Sequence, residues 1–157
     1  MSPYSLNIYL EISILVIILL ALIGVASVFI VRHLRTEYKK VYKVQSKFDI
    51  ELRKLINIMH NFLEIDSLEK YHKLVIKKLS HDEKSQILDI IENAYQDINL
   101  ELEENAYIIE TYQRLQEVRR DRDSKVIIYN DKLSLFPFNL YAKILKFQKF
   151  YLYTPKE

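Results

Sequence analysis

Residues 12–31, ISILVIILLALIGVASVFIV, decide the fold of this chain. Seventeen of these twenty residues are Ala, Val, Ile, Leu or Phe, and none is charged. A helix that rises about 1.5 Å per residue is roughly 30 Å long over such a run, which matches the hydrocarbon core of a bilayer. A cleaved signal peptide has a basic region before the run and a small-x-small site after it, and neither is present. The run therefore predicts an uncleaved transmembrane helix.

Basic residues are concentrated on one side of this run. Residues 1–11 contain one charged side chain, Glu11, whereas residues 32–47 contain six lysines and arginines: Arg32, Arg35, Lys39, Lys40, Lys43 and Lys47. Basic flanks resist translocation and stay in the cytoplasm. We therefore expect a single-pass protein of the cell membrane with a short extracytoplasmic N-terminus (residues 1–11), a transmembrane helix (residues 12–31) and a cytoplasmic helical domain (residues 32–157).

The remaining composition favours helices and excludes several kinds of site. The 157 residues include one glycine, three prolines and no cysteine, so the chain lacks the residues that build sheet turns, phosphate loops, disulfides and cysteine-based zinc sites. A net charge of +2, from 23 basic and 21 acidic residues, argues against a nucleic-acid-binding protein. We expect an all-α protein with no cofactor and no small-molecule substrate.

Apolar residues continue at helical spacing after the run. Seven positions follow a coiled-coil-like grid whose one polar gap is Gln45: Tyr38, Val41, Phe48, Leu52, Leu55, Met59 and Phe62. Because no glycine or proline interrupts residues 32–63, the transmembrane helix is expected to continue into the cytoplasm as one rod. A break is predicted near residues 65–67, where Asp66 and Glu69 have the spacing of a capping pair for a short second helix.

A further, long helix is predicted to begin after Ser80, because Ser80 and Glu83 have the spacing of a capping box. Its weakest point is expected at Asn105. Between residues 82 and 104 there are eight acidic residues and one basic residue, Lys84. This acidic stretch is expected to lie antiparallel to the basic helix of residues 32–54, although exposed ion pairs contribute only about 0–1 kcal/mol each.

A charged block at residues 119–125 interrupts the apolar seam of this long helix. Buried charge is costly unless it is paired. Either Arg119 and Arg122 pair across the bundle with acidic residues, or this portion projects beyond its partner helix into water. The second interpretation needs fewer assumptions and is the expectation.

Aromatic residues are concentrated near the end of the chain. Residues 129–153, YNDKLSLFPFNLYAKILKFQKFYLY, contain eight of the nineteen aromatic residues. Pro137 is expected to end the long helix, since the residue before a proline is pushed out of helical dihedrals, and a last helix is expected from about Asn139. The aromatic residues after it alternate with lysines, so they either pack on the bundle or form an amphipathic face at the membrane.

This C-terminal pattern resembles that of the LemA family of single-pass bacterial membrane proteins. The family's closing pattern is Tyr-Asn, five further residues, Phe-Pro, and then Asn, Ala and Phe at fixed offsets. Seven residues here are similar to this pattern in the same register: Tyr129, Asn130, Phe136, Pro137, Asn139, Ala142 and Phe147. Upstream, Arg114, Arg119 and Arg120 fit the family's arginine stretches, whereas Arg122 and Asp123 stand where the family usually has a second Tyr-Asn. The chain looks like a divergent, shortened member.

The resemblance implies an antiparallel LemA-like bundle of three or four helices and no catalysis. The family has no established activity, and its genes often neighbour a membrane zinc protease. We therefore expect a membrane-anchored scaffold or adaptor of the bacterial envelope, not an enzyme, whose partners are the lipid bilayer and a membrane protease or another envelope protein. The alternative is a structural protein that forms homo-oligomers through Gly24, Ser27 and the cytoplasmic apolar seams.

No catalytic, cofactor or metal site is expected. Glu69 and His72 have the Glu-x-x-His spacing of di-iron bundles, but such a site needs a second copy of the motif and two further carboxylates, and no second copy is present. A metal-binding enzyme built on this pair is the less favoured alternative.

Five residues are predicted to contact the partner: Tyr129, Asn130, Phe136, Pro137 and Asn139. In the competing interpretation these residues are structural. The rings of Tyr129 and Phe136 then fill the core, and the side chains of Asn130 and Asn139 bind backbone at the Pro137 turn.

Overall fold

The computed structural model describes residues 3–63, 65–99 and 102–154. The residues outside these ranges include residues 1–2, residues 155–157 and Glu101 of the acidic stretch. The side chains of residues 3–6 and 104 also lie outside the description. Five α-helices follow one another: α1 (Pro3–Leu63), α2 (Asp66–His72), α3 (His81–Gln96), α4 (Ala106–Ser134) and α5 (Phe138–Ile144). Short 3-10 turns at Ile76–Lys78 and Glu103–Asn105 precede α3 and α4. The all-α class is thus confirmed over the described ranges.

α1 is one unbroken helix of 61 residues, which confirms the predicted rod. At about 1.5 Å per residue it is roughly 90 Å long. Among the described residues it is the one helix long and apolar enough to cross a membrane. None of residues 12–31 is buried, and residues 12–26 are all exposed, so this apolar half of α1 presents most of its side chains outward. The rest of the fold packs on the other half and on the end of the run, where Ser27 and Ile30 are half-buried.

The second half of α1 packs against α4, which runs in the opposite direction. Lys132, near the end of α4, lies 3.2 Å from Glu37, whereas Arg114, near its start, lies 3.3 Å from Glu51. Because the residue numbers of the contacts rise along one helix and fall along the other, the two helices are antiparallel.

α3 completes a three-helix bundle with α1 and α4. Arg119 of α4 lies 2.5 Å from Glu92 of α3, and the rings of Tyr95 and Tyr112 stack at 3.7 Å, so α3 is antiparallel to α4 and parallel to α1. The antiparallel arrangement expected between the acidic stretch and the basic helix is therefore wrong. The ion pair that joins α3 to α1, Lys84 to Asp49 at 2.7 Å, has its basic residue on α3.

Two apolar clusters hold the bundle together. The first is remote from the apolar run and includes Phe48, Leu52, Leu55, Ile87, Ile91 and Leu115. The second lies beside the end of the run and consists of Leu34, Val41, Val126, Tyr129, Leu133 and Ala142. Five of the seven seam positions predicted on α1 are fully buried, whereas Tyr38 and Phe62 are exposed. The polar gap at Gln45 has its own partners, because its amide binds Asp49 at 2.9 Å and accepts from Arg122.

The capping box at the start of α3 is confirmed. The Ser80 hydroxyl accepts from the backbone N–H of Glu83 at 3.2 Å, and the Glu83 carboxylate accepts from the backbone N–H of Ser80 at 2.7 Å. The predicted long helix is divided, since α3 ends at Gln96 and α4 begins one residue after the expected weak point, Asn105.

The break before α2 is also confirmed, but the predicted capping pair is wrong. Ile65 is the N-cap of α2 and makes no side-chain cap, while Asp66 is the first residue of the helix. Glu69 instead binds Lys73 at 3.1 Å on the exposed side of the helix. The spacing of two side chains identifies a capping pair only when the first of them lies outside the helix.

The chain turns back after α4. α4 ends at Ser134, α5 begins at Phe138 after a cis Phe136–Pro137 peptide, and these bounds agree with the predicted effect of Pro137. α5 ends when Lys146 adopts a positive φ of 56°, with the N–H of Phe147 bonded to the carbonyl of Ala142 in a Schellman closure. Residues 147–154, which we call the tail, then run back along α4. The aromatic residues of the tail therefore do not share one helical face.

Candidate functional site

The charged block of α4 faces the tail, and the expectation that it projects into water is wrong. Arg119, Arg122 and Asp123 are at most 9% exposed. Together with Asn130, about two to three turns further along α4, they bind the tail from residue 150 to residue 154. We call Arg119, Arg122, Asp123 and Asn130 the tail clamp.

Asp123 binds the last described residues of the tail. Its carboxylate accepts hydrogen bonds from the backbone N–H groups of Tyr153 and Thr154, at 3.1 and 2.8 Å, and from the Thr154 hydroxyl at 2.8 Å. It also lies 2.7 Å from Nη1 of Arg122. A buried carboxylate is tolerated under these conditions, because both its charge and its hydrogen-bonding capacity are satisfied inside the protein.

The two arginines of the clamp bind carbonyl oxygens of the same tail. Arg122 donates to the carbonyl of Tyr151 at 2.5 Å and, through Nε, to Oε1 of Gln45 at 2.9 Å. Arg119 donates to the carbonyl of Tyr153 at 2.5 Å. The clamp thus holds both the donors and the acceptors of the tail backbone.

Asn130 and Tyr129 hold the beginning of the tail. The Asn130 amide donates to the carbonyl of Phe150 at 2.8 Å and accepts from the N–H of the same residue at 3.1 Å. Burial raises the pKa of Tyr129 to about 12, so its hydroxyl stays protonated and donates to the carbonyl of Gln148 at 3.2 Å. Asn130 therefore binds backbone as the structural interpretation expects, but on the tail and not at the Pro137 turn.

Tyr153 anchors the tail in the first apolar cluster. Its ring stacks at 4.7 Å on both Phe48 and His81, and the guanidinium of Arg122 lies 4.4 Å from its centroid. Burial raises the pKa of Tyr153 to about 12, against the opposing effect of Arg122. Burial, followed by the charge of Arg122, lowers the pKa of His81, which favours the neutral imidazole in this stack.

The tail clamp binds the tail through main-chain N–H and carbonyl groups. Clamp residues donate to the carbonyls of residues 150, 151 and 153 and accept from the N–H groups of residues 150, 153 and 154. A groove of about 590 Å³ borders the tail between α3 and α4, lined on the helices by His81, Ile127, Asn130 and Asp131. The chemistry available here is peptide binding, and the peptide bound is the protein's own.

The remaining predicted contact residues lie in the turn between α4 and α5 (Phe136 and Pro137) and at the start of α5 (Asn139). We call residues 135–145, which include this turn and α5, the tip. Phe136 is 78% exposed, so the interpretation that it fills the core is wrong, whereas Tyr129 is fully buried as that interpretation expects. The backbone N–H of Asn139 donates to the carbonyl of Leu135 at 2.9 Å. Its Oδ1 is buried and has no hydrogen-bond partner among the described residues.

The tip lies against α1 at the end of the apolar run. The Tyr141 and Ser27 hydroxyls are 2.5 Å apart, and the ring of Phe138 lies 5.7 Å from that of His33. Ser27 is one of the three residues in the run that are not aliphatic or aromatic. The tip thus contacts the predicted transmembrane segment itself.

An ion cluster stands one turn further along α1. Lys132 of α4 and Lys40 lie 3.2 and 2.9 Å from the same carboxylate oxygen of Glu37, which is buried. Burial opposes ionisation of Glu37, but the hydrogen bonds and charges of the two lysines outweigh it and lower the pKa of the carboxyl. The cluster therefore fixes α4 to α1 next to the basic flank.

The residues considered for a metal site have other partners. Glu69 is exposed and binds Lys73, while Nδ1 of His72 lies 3.0 Å from Oδ1 of Asn57 and its ring lies 4.7 Å from that of His60. Within the described ranges, the structure brings together no group of three or more histidine, aspartate or glutamate side chains that could hold a metal ion.

Sequence reasoning missed the role of Asp123 and Gln45. Both carried a signal, since Gln45 is the polar gap in an apolar seam and Asp123 lies in a charged block at seam positions. Two polar interruptions of facing seams are typical of a buried polar network, and Arg122 joins them here.

The chain matches no protein-family model, no curated protein and no solved structure. The resemblance to the LemA family therefore rests on the sequence pattern quoted above.

Proposed function

We propose that this protein is a single-pass, membrane-anchored helical scaffold or adaptor of the bacterial envelope, similar to LemA proteins and without catalysis of its own. The observation that carries the proposal is the continuity of α1. One unbroken helix, Pro3–Leu63, joins an apolar half with no buried residue to a half that forms the bundle core. An exposed apolar run of this length is stable in a bilayer and not in water.

The anchor and the bundle are joined rigidly in this proposal. At the junction, Leu34 belongs to the second apolar cluster and Ile30 packs against it. The ion cluster at Glu37 follows one turn later. A helix packed in this way has no hinge between the bilayer and the bundle. Such a protein presents its cytoplasmic surface at a fixed height and orientation, which is what a scaffold requires.

The basic flank gives the orientation. Residues 32–47 carry the six lysines and arginines that keep this side of the span in the cytoplasm, so the N-terminus lies outside and the bundle inside. The membrane assignment is tested by extraction of cell membranes with alkaline carbonate. A chain with the proposed anchor stays in the pellet, and release into the supernatant refutes the anchor. Protease added to spheroplasts leaves a C-terminal tag intact in the proposed orientation and digests it in the opposite one.

The partner is proposed to be a membrane protease or another envelope protein that meets the turn at Pro137. Of the five predicted contact residues, Tyr129 and Asn130 are already bound within the protein, so Phe136, Pro137 and Asn139 remain for this role. A partner at this position is itself a membrane protein, because the turn lies beside the apolar run.

Photo-crosslinking tests the adaptor role in intact membranes. A photoreactive residue in place of Asn139 is expected to give a discrete protein adduct, whereas the same residue in place of Asn93, which is exposed on α3, is expected to give none. Identical adduct patterns at the two positions, or no protein adduct at residue 139, refute the adaptor role without touching the anchor.

Self-association is the second candidate, and one observation favours it. A Cβ added at Gly24 meets no atom within 4 Å, so this position of the span is open to a second helix. Ser27 is less available, since its hydroxyl is bound to Tyr141. A Gly24→Cys variant that forms disulfide dimers in membranes, beside a control on the opposite helix face, Leu22→Cys, that does not, supports this candidate. Monomer at both positions removes it.

A further inference from the structure

We propose that the tip (residues 135–145) is a second membrane contact, which lies in the boundary between headgroups and acyl chains of the cytoplasmic leaflet. The inference rests on the proposed anchoring of α1, because the anchor fixes where the bilayer ends. It adds a surface that binds lipid outside the transmembrane helix, and the partner proposed above meets the same tip at the Pro137 turn from within the bilayer boundary. Three observations carry the inference: the depth of the tip along α1, the apolar face that the tip leaves exposed, and the basic residues near that face.

The depth follows from the contact between Tyr141 and Ser27. Ser27 lies four residues before Val31, the end of the apolar run, which corresponds to about 6 Å along the helix axis. Their hydroxyls are 2.5 Å apart, so the end of the Tyr141 side chain reaches that level, while Phe138 of the same helix contacts His33, two residues beyond the run. Amphipathic helices that lie on membranes are buried about 5–10 Å into the boundary between headgroups and acyl chains. α5 therefore contacts α1 across the end of the run, and its Tyr141 side chain reaches a depth within that range.

The tip turns one apolar face inward and another outward. Phe138, Tyr141 and Ala142 face α1 and α4 as part of the second apolar cluster or against it. Leu140 and Ile144 are four positions apart and so share the other face of α5. Five apolar side chains of the tip are more than two-fifths exposed: Leu135 (58%), Phe136 (78%), Leu140 (50%), Ile144 (74%) and Leu145 (41%). Five exposed apolar side chains within eleven residues are typical of an interaction site.

Basic residues lie on and after α5 and on the adjacent turns of α1. Lys143 and Lys146 on and after α5, and Arg32 and Arg35 on the adjacent turns of α1, are all exposed. Lysine and arginine side chains at this level extend their charged ends to lipid phosphates while their stems lie along apolar surface. Each such residue adds attraction to an anionic leaflet. The tip also contacts the end of the apolar run through Tyr141 and Ser27, and this position together with the charge favours lipid as the occupant over a soluble protein.

The chain contains no cysteine, so single labels can be placed without background. We suggest an environment-sensitive fluorophore on Ile144→Cys and on Phe136→Cys in the full chain, reconstituted at one chain per nanodisc with phosphatidylcholine and phosphatidylglycerol. Each label has a matched control at an exposed residue of the same type on the bundle. Ile50 is 64% exposed and Phe62 is 69% exposed. Along α1, Ile50 lies 19 residues beyond Val31, or about 28 Å from the end of the run.

The readout is quenching by a water-soluble quencher and by a spin label attached to lipid. We expect the labels at residues 144 and 136 to be about fivefold less accessible to the aqueous quencher than their controls. We also expect the lipid spin label to quench these two labels and not the controls. Equal aqueous quenching at residues 144 and 50 overturns the inference.

A label on Leu20→Cys, in the middle of the apolar run, separates this failure from failure of the anchor. If residue 20 is shielded from water and residue 144 is not, the tip inference is wrong and the anchor stands. If both are open to water, the anchor is wrong as well. Because each disc holds one chain, shielding at residue 144 reports lipid and not a second copy. Shielding that occurs without quenching by the lipid spin label counts against the proposal.

Discussion

Replacement of Asp123 by alanine tests whether the tail clamp is a main source of stability. Asp123 is 5% exposed and lies at the centre of the clamp. The substitution removes the acceptor of the Tyr153 and Thr154 N–H groups and leaves Arg122, 3% exposed, without its carboxylate partner. Removal of one member of a buried ion pair typically costs about 3–5 kcal/mol, because the other charge stays buried and unpaired.

We therefore expect Asp123→Ala to lower the free energy of unfolding of the bundle by about 3–5 kcal/mol. Arg122 keeps its bonds to Tyr151 and Gln45, which places the expected loss at the lower end of that range. Since domains of this size have a total stability of about 5–15 kcal/mol, the change is a large part of the whole. Purified full chain in nanodiscs, melted while helicity is followed by circular dichroism, measures it.

The matched control is Asp121→Ala, two positions earlier on α4. The Asp121 side chain is 51% exposed and its pair with Lys125 spans 3.7 Å, so its loss is expected to cost less than about 0.5 kcal/mol. Hydrogen exchange gives a second, local readout, in which the amides of Tyr153 and Thr154 lose protection in the Asp123 variant and keep it in the control. Equal losses of stability in the two variants, with equal protection of the tail, refute the clamp.

Three other substitutions test separate features of the fold. Glu37→Gln is expected to cost about 1 kcal/mol at pH 7. The folded pKa of Glu37 lies below 4.5, so the stability that its carboxylate contributes is present above that pH and is lost as the pH falls through the folded pKa. Glu37→Gln is therefore expected to make stability less dependent on pH in that window than Glu69→Gln does, since the Glu69 side chain is exposed. Ser80→Ala removes the capping box and should cost about 1 kcal/mol in thermal unfolding, and an unchanged midpoint contradicts the cap. Lys146→Gly should stabilise by about 0.5 kcal/mol, because glycine adopts the positive φ of this C-cap without strain, and destabilisation rules out the Schellman assignment.

The long rod and the helical class were predictable because their causes are local. An uninterrupted apolar run followed by a seam of period 3.5, with no breaker, specifies one helix whatever packs on it, and five of seven seam residues are buried accordingly. The capping box at Ser80 was predictable for the same reason, since both partners lie within four residues. The false pair at Asp66 shows the limit of local reasoning: whether a residue lies before the first turn or inside it depends on how the preceding chain arrives.

The tail clamp was not predictable, because its partners are backbone atoms. Arg122 binds a carbonyl 29 positions away and Asp123 binds N–H groups about 30 positions away. Every residue carries these groups, so no side-chain pattern marks which of them a buried arginine will reach. A search for acidic side chains across the bundle finds the Arg119–Glu92 pair and misses the larger part of the network.

The five residues predicted to contact a partner share a structural role that their spacing conceals. Tyr129 and Asn130 bind the tail through Gln148 and Phe150, and six residues later Phe136 begins the turn whose α5 returns to Ser27. Between Phe136 and Gln148 the chain reverses direction, contacts α1 and comes back along α4. Pro137 ends α4 at the start of this reversal, and the Tyr129–Asn130 pair binds the returning tail. The spacing between Asn130 and Phe136 therefore corresponds to the last turn of α4 before the chain folds back along the bundle.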